Sequence, residues 1–225
     1  MDWHFIYRFT PMYVKAAGLS LSTGLSGAAL SLIIGLFCCL VRHFRIPLLR
    51  QAAYAYIELA RNTPLLVQLF FLYFGLPKAG VVLSARSCAI IGLSFLGGAY
   101  MAEALRSGLE SVASIQIESG ACLGLTRRQI LLFIVFPQAL ASSVPAICAN
   151  VIFLIKETSV LSAVALADLT YVAKDLIGMY YKTDEALLML TAGYLIILTP
   201  ISALFSMLER RLRHDGSHRR TDEGA

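Results

Sequence analysis

The side chains of this 225-residue chain that could do chemistry are few, and their spacing excludes most chemistries. The four histidines, His4, His43, His214 and His218, lie at edges and tails, and no Ser/His/Asp or metal-ligand set recurs at workable spacing, so neither a hydrolase nor a metal centre is expected. Cys38, Cys39, Cys88, Cys122 and Cys148 show no Cys-x-x-Cys or Cys/His pattern, and four of them sit in apolar runs, where cysteine serves as a small packing residue. A Gly-x-x-x-x-Gly-Lys-Ser/Thr phosphate loop is missing, so this chain is not expected to bind ATP. What remains is a Glu-x-x-Arg pair that occurs twice (Glu58/Arg61 and Glu103/Arg106), a Lys156-Glu157-Thr158-Ser159 cluster, and a polar stretch from Glu118 to Arg128.

These groups are set in a very apolar background. The chain is 58% hydrophobic and 15% charged with mean hydropathy +0.72, values of a multi-span membrane protein. Its net charge of +5 has no basic–aromatic surface to go with it, so no nucleic acid partner is expected. The first fifteen residues carry Asp2, His4, Arg8 and Lys15 and no compact apolar core, so no removable signal peptide is expected.

Charge-free runs predict five membrane-spanning helices in an all-α polytopic protein, at about residues 18–41, 51–76, 87–106, 131–155 and 186–208. Residues 1–17, with aromatic anchors among polar neighbours, read as an extracytoplasmic interfacial segment. In the first span Ser20, Gly24 and Ala28, and separately Gly27, Ser31 and Gly35, recur every four residues and permit close helix contact. The uncharged runs between Arg61 and Lys78 and between Arg86 and Glu103 are 16 residues each, roughly 24 Å, so spans two and three must continue past their charges. Glu58/Arg61 and Glu103/Arg106 then fall at i,i+3 and read as structural ion pairs near the headgroups, with a gating or pathway role as the alternative. Pro64 predicts a break with re-entry at Leu65–Leu76, and Pro137 and Pro145 a kink in span four. Residues 107–130 form a cytoplasmic loop holding a short helix between Gly120 and Gly124, residues 168–185 a polar loop, and 209–225 a cytoplasmic tail. Twelve basic residues (Arg42, Arg45, Arg50, Arg61, Arg106, Arg127, Arg128, Arg210, Arg211, Arg213, Arg219, Arg220) fall on the side of the Glu118 loop and six on the other, which places the N-terminus outside and the C-terminus in the cytoplasm.

Read together, these residues resemble the permease subunits of bacterial ABC importers, in particular the polar amino acid uptake branch. The family signature is Glu-Ala-Ala, three residues, Gly, nine residues, then Ile-x-Leu-Pro. Here Glu118-Ser119-Gly120, Gly124 and Ile134-x-Phe136-Pro137 keep that spacing without a gap. Arg61-Asn62-Thr63-Pro64-Leu65-Leu66-Val67-Gln68, Tyr100 to Gly108, Pro137-Gln138-Ala139 and Lys156-Glu157-Thr158-Ser159 resemble further runs of the branch, and the likeness covers roughly Tyr54 to Leu169. Ser119 and Gly120 depart from two alanines, which predicts a less rigid helix. Asn62 departs from a glycine yet still permits a left-handed turn. Ala141 stands where many members have an arginine.

The resemblance implies a type I importer permease fold and a loop that forms a coupling helix seated in a cytoplasmic ATPase. Glu118, Ser119, Gly120, Ala121, Leu123, Gly124 and Leu125 are then the docking residues. It further implies a cytoplasmic ABC ATPase dimer that carries ATP and Mg, an identical or related second permease subunit, an extracytoplasmic substrate-binding protein, a small-molecule substrate of amino acid type, and a place in the bacterial inner membrane. No cofactor is expected on this chain. Asn150, Lys156, Glu157, Thr158 and Ser159 either line the translocation path or its gate, or form a buried ion pair or helix-end cap. A secondary transporter or channel is the alternative, and it would favour unpaired acidic groups in mid-membrane and an internal inverted repeat, neither of which stands out.

Overall fold

A computed structural model describes residues 1–44 and 46–221, with side chains through Arg211. Arg45, Arg213, Arg219, Arg220, His214 and His218 therefore lie outside the described side chains. The helices are α1 (Trp3–His43), α2 (Pro47–Arg61), α3 (Leu65–Ala79), α4 (Ala85–Glu110), α5 (Ser114–Cys122), α6 (Arg127–Val164), α7 (Leu169–Tyr180) and α8 (Thr183–Thr221). Four of them, α1, α4, α6 and α8, are long and apolar enough to cross a membrane, and the bent pair α2–α3 makes a fifth span.

Helix α1 packs along α4 through its small residues. Ser20, Thr23 and Ser31 are fully buried, and Gly24, Gly27 and Gly35 face inward with them. A Cβ at Gly27 would lie 2.7 Å from the Leu93 Cβ, and one at Gly35 2.5 Å from the Met101 Cβ, so only glycine lets the backbones approach this closely. The Ser31 hydroxyl donates to the Gly27 carbonyl at 2.7 Å and lies 3.3 Å from that of Leu93, which satisfies it inside the seam. Leu93, Met101 and Leu154, all fully buried, extend this core to α6.

Two sequence-based boundaries are corrected. Residues 1–17 are not a separate element. They are the first turns of α1, capped by the Asp2 carboxylate, which accepts from the Phe5 amide at 3.1 Å. Phe5, Phe9, Tyr13 and Ala16 form a buried stripe against Leu169, Val172 and Leu176 of α7 and Met189 of α8. The Asp2 amide donates to Glu185 at 2.8 Å and Lys182 pairs with Asp2 at 3.4 Å, so the N-terminal end of this stripe is tied.

Residues 168–185 are not a loop, because Leu169–Tyr180 is helical. Asp168 is its N-cap, accepting from Tyr171 at 2.9 Å and Thr170 at 3.3 Å. The apolar spacing Leu169, Val172, Ala173, Leu176 behind an aspartate was the signal for it. Burial pushes the Asp168 carboxyl up to about 6, against the opposing pull of those amide bonds.

The break expected at Pro64 divides span two, which runs from Pro47 to Ala79. α2 ends at Arg61 and α3 leaves it at 103°, since Pro64 lacks an amide to carry the helix on. The carbonyls freed at the break find side chains: Glu58 accepts from Asn62 Nδ2 at 2.8 Å, Leu59 from the Thr63 hydroxyl, and Ala60 from Gln68 Nε2 at 3.3 Å. Asn62 has φ −95°, so no left-handed residue is needed there. In α6 a π-helical stretch at Ile130–Val135 precedes Pro137, a widened turn of the kind found where the ladder meets a proline.

Candidate functional site

Two polar regions interrupt the apolar body. The first is α5 with the turn that follows it. The helix ends in a complete Schellman motif: the Leu125 amide donates to the Gly120 carbonyl at 3.1 Å and the Gly124 amide to that of Ala121 at 3.0 Å, with Gly124 at φ +79°. Thr126 and Gln129 close a capping box at the start of α6, so both sides of the turn are fixed by hydrogen bonds.

Of the residues expected to dock, Glu118, Ser119, Ala121, Leu123 and Gly124 are exposed and Leu125 is half-buried. Gly120 is a correction. It lies inside the helix, not at its boundary, and it is buried where a Cβ would meet the tip of Ile134 at 2.8 Å and Ile130 at 3.2 Å. It seats α5 on α6 and presents nothing outward. Ile115, 63% exposed and one turn before Glu118, was not singled out from the sequence, although its i,i+3 spacing to that residue was readable. Among the described residues Glu118 has no ion-pair partner.

The second region is a cleft of about 410 Å³ between the α2–α3 break, α4 and α6. Asn62, Thr63 and Pro64 line it with Arg61, Tyr100 and Glu157. Arg61 lies 5.8 Å above the ring of Tyr100, and Tyr100 stacks edge-on to Phe153 at 5.4 Å. Tyr100 is ten residues, roughly 15 Å, back from the end of α4. Arg61 therefore meets α4 three residues before Glu103.

The expected Glu58–Arg61 pair does not form: Glu58 accepts from Asn62 at 3.1 Å instead. Glu103 and Arg106 do meet, at 2.8 Å, within a larger network in which Glu103 also holds Arg42 and Arg106 also holds Glu110. Arg42 in turn lies 4.3 Å above the Tyr54 ring, which ties α1, α2 and α4 at one end.

The polar cluster of α6 is divided by the fold. Glu157 faces the cleft, whereas Lys156 is exposed, and neither Asn150, Lys156 nor Ser159 lines the cleft. Thr158 is turned the opposite way: it is fully buried, donates to the Ile155 carbonyl at 2.7 Å and packs on the Gly24 face of α1. Its side chain caps a helix end and does not face a path. Among the described residues no group of three or more His, Cys, Asp or Glu could hold a metal ion.

Residues 17–214 match the family model described as "Binding-protein-dependent transport system inner membrane component". The chain is 32% identical over 215 residues to the "Probable amino-acid permease protein YxeN" of Bacillus subtilis (strain 168), covering 94% of this chain and 96% of that protein. It is 30% identical to the "Glutamine transport system permease protein GlnP" of Escherichia coli (strain K12), covering 94% and 98%. A crystal structure of an amino acid ABC transporter with histidines superposes with TM-score 0.89 at 30% identity, over 94% of this chain and 99% of that one. The inward-facing MetNI methionine ABC transporter superposes with TM-score 0.76 at 18% identity, over 91% and 98%, and so supports the fold. With the signature spacing seated on an exposed, capped helix and the five-span fold shared along nearly its whole length, the chain belongs to the binding-protein-dependent transport system inner membrane components, the membrane-spanning permease subunits of ABC importers.

Proposed function

We propose that this permease carries amino acids inward, driven by ATP hydrolysed on a separate cytoplasmic subunit that docks on α5. The observation that carries the docking assignment is the exposed, unpaired Glu118 on a helix pinned inward by Gly120 and stopped by Gly124. Such an element moves as a unit, and it connects directly to α4 and α6, so ATP-driven closure below it is passed to both. ATP and Mg reside on that partner. A second permease subunit, identical or related, completes the path, and an extracytoplasmic binding protein delivers the substrate. The basic residues of the Glu118 side orient the chain with its N-terminus outside.

The cleft is the path segment contributed by this chain. Arg61 and Glu157 offer opposite charges from two different helices lining the cleft, which matches a zwitterionic amino acid, and Tyr100 and Phe153 offer apolar surface for its side chain. The relatives named for amino acids and glutamine support that substrate class.

The test is purification of the tagged chain from native membranes with identification of co-purifying subunits and assay of ATP hydrolysis, for the unmodified chain, Gly124→Asp and Gly124→Asn. Nothing lies within 4 Å of a Cβ at Gly124, and both replacements tolerate a left-handed backbone, so only the charge differs. Loss of the ATPase with Asp and its retention with Asn is expected; retention with both means that docking lies elsewhere. Glu157→Gln is expected to lower uptake at least tenfold with the ATPase still bound, and unchanged uptake removes the cleft from the path.

A further inference from the structure

We propose that a crevice at the Arg42 end of the bundle binds an anionic phospholipid of the surrounding bilayer. The crevice, about 220 Å³, opens between the last turns of α1 and α4 and the first turns of α6. Leu36, Leu40, Leu105, Leu109, Leu132 and Phe136 line it. Four of these, Leu36, Leu40, Leu132 and Phe136, stay between 42% and 59% exposed, so the protein itself does not fill it. Water gains nothing from such walls, whereas an acyl chain fits them.

Charge at the mouth selects the head. The uncharged run of α1 ends at Arg42 and that of α6 begins after Arg128, so both helices reach the hydrocarbon boundary at the same end of the crevice. Arg127 and Arg128 stand four residues before Leu131 and Leu132, both of them lining residues, and helical side chains lean toward the N-terminus, which carries the guanidinium groups from the crevice rim toward the headgroups. Both arginines are exposed and without an ion-pair partner among the described residues, in contrast to Arg42 and Arg106, which Glu103 and Glu110 occupy. His43 adds a third basic side chain at the opposite wall. An apolar slot with uncompensated positive charge at its mouth suits a molecule with an acyl tail and a net negative head. The inference rests on reading these helix ends as the membrane boundary, and it does not require the ATPase.

The test is native mass spectrometry of the purified complex after adding phosphatidylglycerol or phosphatidylcholine of equal chain length. Phosphatidylglycerol is expected to remain bound in preference. In Arg127→Gln/Arg128→Gln its retention should fall about tenfold or more. Leu132→Trp, at an exposed position, should displace both lipids by filling the slot while circular dichroism stays unchanged. Equal retention of the two lipids by the unmodified protein overturns the proposal, as does undiminished phosphatidylglycerol binding in the double variant or in Leu132→Trp. Loss of the ATPase from the double variant with lipid retention intact also overturns it, assigning the arginines to the protein partner. A preparation that retains phosphatidylglycerol selectively but never carries an ATPase counts against the docking assignment alone.

Discussion

The α1–α4 seam and the α5 loop both depend on glycine, for opposite reasons. In the seam glycine removes volume: at Gly35 a Cβ would collide with Met101 and come within 2.9 Å of its backbone, and at Gly97 it would collide with the Ser31 side chain of α1. In the loop Gly124 occupies open space and is needed only for its backbone angle of φ +79°, while Gly120 faces the flexible side chains of Ile130 and Ile134. A seam packed this closely, down to the facing backbone at Gly35, behaves as one rigid body. A helix held by one buried point and a hydrogen-bonded C-terminal turn can tilt as a unit without disturbing that body. This is the division of labour expected of a transporter whose motion starts outside the membrane.

The comparison breaks most decisively at the seam. Gly35→Leu must separate α1 from α4, an expected loss of more than about 3 kcal/mol, read as failure to recover monodisperse protein; a variant with an unchanged melting temperature would show that the seam is not tight. Next is pH. With its carboxyl raised to about 6, Asp168 favours the folded state in its protonated form. Its stabilising effect is complete below the ordinary value near 3.8 and is lost as pH rises through 6, so stability should fall by on the order of 2–3 kcal/mol between pH 4 and 7. Asp168→Asn keeps the cap and should flatten that dependence, and an unchanged pH profile would remove Asp168 as its source. Glu103→Gln strips two arginines of a shared partner. With these groups partly exposed, a loss of about 1–2 kcal/mol is expected in thermal unfolding, and a value indistinguishable from zero would mean that solvent already screens the network. The smallest effect belongs to the loop. Gly120→Ala gains helix propensity of up to about 1 kcal/mol and displaces the tip of Ile134, so a change within about 1 kcal/mol is expected, with ATPase binding retained. Loss of binding on so slight a change would mean that the seating of α5 tolerates no shift.

Much of this was legible in one dimension. The lengths of uncharged runs gave the spans because hydrocarbon admits so few alternatives, and the four-residue repeat of Ser20, Gly24, Ala28 and Gly27, Ser31, Gly35 gave the packing face of α1. The gap-free signature spacing gave the family. What failed were readings that treated charge as a local label. Asp168 looked like the start of a polar loop but is a buried cap whose helix is held by aromatic residues at the N-terminus. Glu58 and Arg61 had pairing geometry on paper, yet the break at Pro64 supplied Asn62 as a nearer partner for Glu58 and sent Arg61 toward Tyr100.

The sequence by itself determined the composition of the helices, their number across the membrane and the place of the α5 loop, since these depend on hydropathy, proline and glycine at fixed positions. Only the tertiary structure decided which face each polar residue takes. Thr158 and Glu157 are neighbours in the chain, and one is sealed against Gly24 while the other opens on a cleft shared with Arg61. Adjacent residues of a helix point about 100° apart, and what lies in each direction is set by helices more than fifty residues away.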